Sequence, residues 1–307
     1  LLFESGESGL GPGSPLSILD AMKVAALQFD VQRAATDPTA PAHNLAAAES
    51  AVRAAAAAGA RLVVLPEVWA TSFPAGQPAG DAALLAAAEE ATAMAASWSA
   101  ELNLVIAGSY LAPAAGLGQG AGGRFYNRLL VHDGGELRLS YDKVHLFTPT
   151  AEHEVFAAGA ELPPVVETSA GRLSGAICYD LRFPELFVPM RRAEVDLVVV
   201  PAQWAARRAD HWRALVLGRA VEGQFTVVAA NRTGSEPLGQ RGQVIAFPGN
   251  SLVASAAGEA LAEGRGEVGA ILGLVDPELG HKQRIRVPVG KDRRGDLYDK
   301  WRAADRT

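Results

Sequence analysis

The chain reads as an α/β protein in which helices cover both faces of mixed sheet. Two observations predict this. Short branched strands alternate with alanine-rich helical stretches, the pattern of parallel strands joined by crossover helices. Glycine-centred hairpin signals interrupt that alternation and add antiparallel strands.

Residues 23–31 (KVAALQFDV) form a short apolar strand that needs cover on both faces. A helix follows, with Asn44 as its N-cap, alanines through residues 45–58 and Gly59 as its stop. Residues 61–65 are a branched run ending in Pro66-Glu67, a second strand with an acid at its carboxyl end. Residues 81–102 repeat the helix and 104–110 the strand, and the glycine-rich 112–123 is a surface loop. Residues 125–132 and 136–140 flank Asp133-Gly134-Gly135, and 165–168 and 172–178 flank Ser169-Ala170-Gly171, so both pairs are hairpins. Then come a helix over 184–192, a strand over 195–200, a helix over 207–222 burying Trp212, Leu215 and Val216, and a strand over 225–231. Strands and glycine turns fill 251–275, and 277–284 is a short helix. There is no internal repeat and no sign of a second core, so residues 22–307 are expected to form a single domain. Residues 1–21, rich in Gly, Ser and Pro, are read as an extension outside it or an arm against a partner subunit.

With 307 residues and 49% hydrophobic content, the chain is long enough to bury a substantial core. A net charge of −6 with dispersed arginines argues against a nucleic-acid partner. No apolar run reaches the roughly 18 residues of a spanning helix, so no membrane partner is expected. A single cysteine allows no intramolecular disulfide and makes a reducing, cytoplasmic location the expectation. The six histidines form no HExxH or HxxxH pair, so no metal cofactor is expected.

Four side chains stand out by context. Cys178 lies where a small apolar strand runs into a proline-led helical start, the strand end at which open α/β proteins place their chemistry. It reads either as a small buried hydrophobe or as a nucleophile, which needs a partner to favour thiolate. Glu67, after a buried strand and a proline, is poorly solvated and suited to a general base, or is a strand-end acid paired with a surface arginine. Lys143, in YDKVHLF, snorkels to solvent or holds positive charge where an oxyanion forms. Glu152 orients that lysine or the leaving group, or is an exposed loop acid. His145, two residues beyond Lys143, leaves a Cys/His peptidase dyad open.

Leu-Pro-Glu at 65–67, YDKVHLF at 141–147 and ICYDLRFPEL at 177–186 resemble, in order, three signature segments of the carbon–nitrogen hydrolase (nitrilase) superfamily. Weaker likenesses extend over residues 23–275, including ANRTG at 230–234. The resemblance implies a four-layer αββα sandwich with mixed sheets and a Glu67-Lys143-Cys178 triad, with Glu152 as a second glutamate. CYDLRFPE and PAQW at 201–204 are most similar to the Nit-type ω-amidase branch, which implies hydrolysis of small 2-oxo acid amides through a cysteine thioester. N-carbamoyl hydrolysis, other aliphatic amidase or nitrilase activity, and a non-catalytic regulatory role on the same fold are the alternatives. In this reading the backbone N–H of Tyr179 joins Lys143 at the oxyanion. A substrate carboxylate needs a cation, for which Arg182, Arg207 and Arg208 are the candidates, and Trp204 walls the pocket or is simply core. Relatives commonly pair, so a homodimer or larger homo-oligomer is expected. The sequence lacks the usual proline before Gly258, a departure expected to affect a distal hairpin rather than the chemistry.

Overall fold

A computed structural model describes residues 21–74, 81–114, 124–237 and 243–304. The expected N-terminal extension, apart from residue 21, and most of the glycine-rich loop lie outside these residues. The chain opens with β1 (Met22–Gln28), α1 (Ala40–Ala57), β2 (Leu62–Val64), α2 (Ala82–Leu102) and β3 (Val105–Pro113). β4 (Phe125–Asp133) and β5 (Glu136–Asp142) form the first hairpin, and α3 (Glu152–Val155) is a single turn beyond it. The second half runs through β6 (Val166–Thr168), β7 (Gly171–Gly175), α4 (Phe187–Arg192), β8 (Leu197–Ala202), α5 (Ala209–Gly223) and β9 (Thr226–Asn231). It continues with β10 (Thr233–Pro237), β11 (Val244–Pro248), β12 (Leu252–Ala254), β13 (Ala260–Glu263) and β14 (Gly269–Val275), then α6 (Leu279–Arg286), α7 (Val289–Asp292) and α8 (Gly295–Ala304).

Among the described strands, β10 and β11 pair as a separate ribbon and the other twelve form two six-stranded sheets, ordered β14-β1-β2-β3-β4-β5 and β13-β12-β9-β8-β7-β6. Each has three parallel strands at its centre and antiparallel strands at its edges. Alternation along the first sheet divides its residues between two cores. Ala25, Leu27, Val63, Leu65 and Ile106 pack against Val52 of α1 and Ala91, Ala95 and Trp98 of α2. Val24, Ala26, Leu62, Val64, Val105 and Ala107 join the second sheet's strands and residues of α4 and α5. The result is the αββα sandwich. Close approach between the sheets requires Gly175, where an added Cβ would lie 2.4 Å from Leu129.

Several local expectations change. Asn44 does not cap α1: the helix begins at Ala40 with Pro41 in its first turn, and Asn44 lies buried inside it. Its amide instead ties Gln32 to Ala70, accepting from the Gln32 N–H at 2.7 Å and donating to both carbonyls. The helix expected over 184–192 is broken, with 3₁₀ turns over Cys178–Arg182 and Pro184–Leu186 before α4. The helix expected from 207 is α5, starting at Ala209 after a 3₁₀ turn over Ala206–Arg208. The β10–β11 ribbon, α7 and α8 are not among the expected elements.

Candidate active site

Glu67 follows β2 at the carboxyl end of the first sheet. Its N–H donates to the Ala202 carbonyl at the end of β8, so the acid is anchored to both sheets at once. The carboxylate is fully buried yet fully engaged. Oε1 accepts from Lys143 Nζ and Asn127 Nδ2, both at 2.8 Å, and Oε2 accepts from the Gln203 backbone N–H at 2.9 Å. Gln203 also donates its side-chain amide to the Glu67 carbonyl at 2.7 Å. Glu67 is therefore paired with an internal lysine rather than a surface arginine.

Lys143 comes directly after β5. Its N–H donates to Asn127 and its carbonyl accepts from Gly159, which passes so close that a Cβ there would lie 2.1 Å from the Asp142 carbonyl oxygen. The ammonium does not snorkel. It is buried and donates to Glu67 and to both oxygens of Glu152, at 3.1 and 2.9 Å. Burial disfavours the charged amine, but the adjacent carboxylates of Glu152 and Glu67 outweigh it and hold Lys143 well above the ordinary lysine range. Glu152, the first residue of α3, is buried rather than exposed and also accepts from the Phe147 N–H at 2.9 Å. Burial, with Glu67 nearby, pushes its carboxyl up despite Lys143.

Cys178 opens the 3₁₀ turn beyond β7 with φ +46°, a left-handed conformation that is costly for a side chain with a Cβ. It lines the same cleft as Glu152 and Gln203. Burial pushes its thiol well above the usual range, Glu67 adds to this, and Lys143 opposes it. Its surroundings therefore favour the thiol over the thiolate. His145 is elsewhere engaged: Nδ1 meets Asp180 Oδ1 at 2.8 Å and the ring stacks on Phe183 at 3.6 Å. His145 is not among the residues that line the cleft with Cys178.

The cleft is walled by Phe73, Phe147, Tyr179, Trp204 and Phe247. Trp204 is a wall and a core residue together, since its indole donates to the Arg208 carbonyl at 2.8 Å and it packs on Trp212. Tyr179 is the second residue of its turn, where a backbone N–H has no intrahelical acceptor. Arg182, Arg207 and Arg208 stand on the cleft. The Arg208 guanidinium lies 5.1 Å from the Phe147 ring, and its pKa is pushed down by burial and by Arg207 and Arg182. Arg182 lies over Trp204 and contacts His211 Nδ1 at 3.2 Å. Among the described residues, none of the three has a carboxylate within ion-pair distance.

A cysteine beside a buried Glu-Lys-Glu cluster, at the strand ends of an αββα sandwich, agrees with the match of residues 23–281 to the carbon–nitrogen hydrolase family. The chain belongs to that family. It is 31% identical over 281 residues to a 2-oxoglutaramate amidase of Bacillus subtilis, covering 90% of this chain and 98% of that one. It is also 31% identical to a chloroplastic omega-amidase of Arabidopsis thaliana, over 83% of this chain and 69% of the relative. Among solved structures, a nitrilase-superfamily amidase of Nesterenkonia superposes with a TM-score of 0.73 at 26% identity, covering 91% of this chain and 97% of that one. Another structure of this amidase carries the acetamide moiety of fluoroacetamide on its active-site cysteine.

Asn127, Asp180, Gln203, Asn231 and Arg232 were not singled out by residue type. Gln203 and Asn231 sit at the carboxyl ends of parallel β8 and β9, the position that marked Cys178, so a uniform reading of strand ends finds both. Asn231 fixes the cleft wall, accepting from the Trp204 N–H at 2.7 Å and donating to its carbonyl at 3.1 Å. Arg232, buried, reaches Gln203 Oε1 at 3.2 Å and Glu236 at 3.1 Å.

Proposed function

We propose that this carbon–nitrogen hydrolase is an ω-amidase that releases ammonia from small 2-oxo acid amides, with Cys178 as nucleophile. The observation that carries the reading is the pairing of two charge environments at one cleft: a closed Glu67–Lys143–Glu152 cluster beside Cys178, and lining arginines that have no acidic partner among the described residues. The relatives named for 2-oxoglutaramate and omega-amides support the substrate class.

Glu67 accepts the Cys178 proton, and the thiolate forms a C–S bond to the amide carbon while the carbonyl electron pair moves to oxygen. Lys143 and the Tyr179 backbone N–H stabilise that oxyanion, each such donor being worth about 3–4 kcal/mol. Collapse breaks the C–N bond, and ammonia leaves with the proton held by Glu67, giving a thioester. Glu67 then takes a proton from water, the hydroxide oxygen adds to the thioester carbon, the C–S bond breaks as that proton passes to the Cys178 sulfur, and the carboxylic acid is released. Glu152 holds Lys143 in place throughout. Arg208, stacked on Phe147 and crowded by its fellow arginines, binds the substrate's free carboxylate, which relieves that repulsion; Arg182 and the Trp204 wall complete the seat. The enzyme is read as a cytoplasmic homo-oligomer, on the strength of its lone cysteine and its family.

Ammonia release from 2-oxo acid amides, neutral aliphatic amides, nitriles and carbamoyl compounds tests the reading. The 2-oxo acid amides are expected to give the highest kcat/KM. Arg208→Gln is expected to raise KM for them about 10- to 100-fold, the value of one charged hydrogen bond, and to leave a neutral amide unchanged. Faster turnover of carbamoyl compounds, with carbon dioxide release, would transfer the chain to the other branch.

A further inference from the structure

Asp180 is a fully buried carboxylate one residue removed from Cys178, and the chemistry described above makes no use of it. Its four contacts reach into both halves of the site. Oδ2 accepts from the Ile177 backbone N–H at 3.0 Å and from the Tyr141 hydroxyl at 2.9 Å. Oδ1 accepts from the His145 backbone N–H at 3.1 Å and meets His145 Nδ1 at 2.8 Å. The Tyr141 hydroxyl accepts in turn from the Val144 N–H at 3.2 Å. Ile177 immediately precedes the nucleophile at the end of β7 in one sheet, whereas Tyr141, Val144 and His145 flank Lys143 at the end of β5 in the other.

We infer that Asp180 is a positioning residue that clamps the Cys178 turn to the Lys143 segment and so sets the alignment of nucleophile and oxyanion donor. Packing alone does not explain it, because a buried anion without a lysine or arginine partner is expensive and an apolar side chain fills space as well. Only a carboxylate offers enough acceptor sites to serve donors from both segments at once. The clamp also holds Cys178 in its left-handed conformation, which is disfavoured unless the surroundings impose it. This inference rests on the catalytic reading of Cys178 and Lys143.

Asp180→Asn keeps the shape but turns a donor toward the Ile177 N–H. Steady-state turnover of 2-oxoglutaramate, normalised to the Cys178 thiols titrated by iodoacetamide, is the measurement, with circular dichroism to establish folding. A kcat about 10- to 100-fold lower, the cost of misplacing reacting groups by roughly 1 Å, with KM unchanged, is the expected result. An unchanged kcat, a loss confined to KM, or a loss that vanishes on normalisation overturns the inference, since a residue serving only stability would lower the folded fraction alone. If Asp180→Asn does not fold, Tyr141→Phe decides by the same criteria, with a smaller loss of kcat expected. Cys178→Ala runs alongside. Its activity would sink the catalytic reading itself, whereas an inactive Cys178→Ala beside a fully active Asp180→Asn would sink only the clamp.

Discussion

The ion cluster in the floor of the cleft and the arginines on its wall treat charge in opposite ways. In the floor, Lys143 is shared between two carboxylates, and every one of these groups is almost wholly removed from water. On the wall, Arg182, Arg207 and Arg208 line one cleft, Arg182 lying over Trp204 and Arg208 over Phe147, and among the described residues none of the three pairs with an acid. Charges that neutralise each other are fixed, so the floor is preorganised to meet charge that develops during reaction. Charges left without a counterion are available to an anion that arrives from solution. In the proposed function the first arrangement serves chemistry and the second serves recognition, and the difference is testable by removing one cation from each.

The floor should give the larger effect. Lys143→Met leaves Glu67 and Glu152 buried with no cation between them, which typically costs about 3–5 kcal/mol of stability. Urea unfolding should show that loss, and turnover should fall to background even in the fraction that remains folded. On the wall, Arg208→Gln should leave stability within about 0.5 kcal/mol and act through KM for anionic substrates alone. A loss of kcat on neutral amides would erase the distinction between the two regions. The smallest effect concerns pH. Because burial and Glu67 hold the Cys178 thiol up in the folded chain, the unfolded chain releases that proton first as pH rises. Folding stability should therefore decline above about pH 8.5, where an ordinary thiol ionises, by up to roughly 1.4 kcal/mol per pH unit. Urea unfolding of Cys178→Ala at the same pH values should show a shallower decline; an identical slope would mean that the thiol contributes none of it.

The contrast also explains what the sequence made legible. Parallel strands and their crossover helices were readable because branched runs such as 195–200 and alanine-rich runs such as 45–58 are local signals. That these strands divide into two sheets followed from the family resemblance alone, because pairing between β1 and β14 or between β9 and β12 joins distant segments and leaves no mark in either one. Asn44 resembled a cap because its residue type suits one, but a buried amide that spans Gln32 and Ala70 uses the same hydrogen-bonding capacity inside the helix. In the site, Glu67, Lys143 and Cys178 were conspicuous as ionisable or reactive groups in apolar surroundings. Asp180 lay in plain view within CYDLRF, yet its partners come from Tyr141, His145 and Ile177, and only the folded chain joins them.

The central claim is that Cys178 carries the acyl group. Rapid-quench intact-mass spectrometry of the protein with 2-oxoglutaramate, followed by peptide mapping, tests it most directly. One acyl adduct, formed with loss of ammonia, is expected on the peptide containing Cys178, and no adduct on Cys178→Ala. Ammonia release by Cys178→Ala, or an acyl adduct on any other residue, would contradict it.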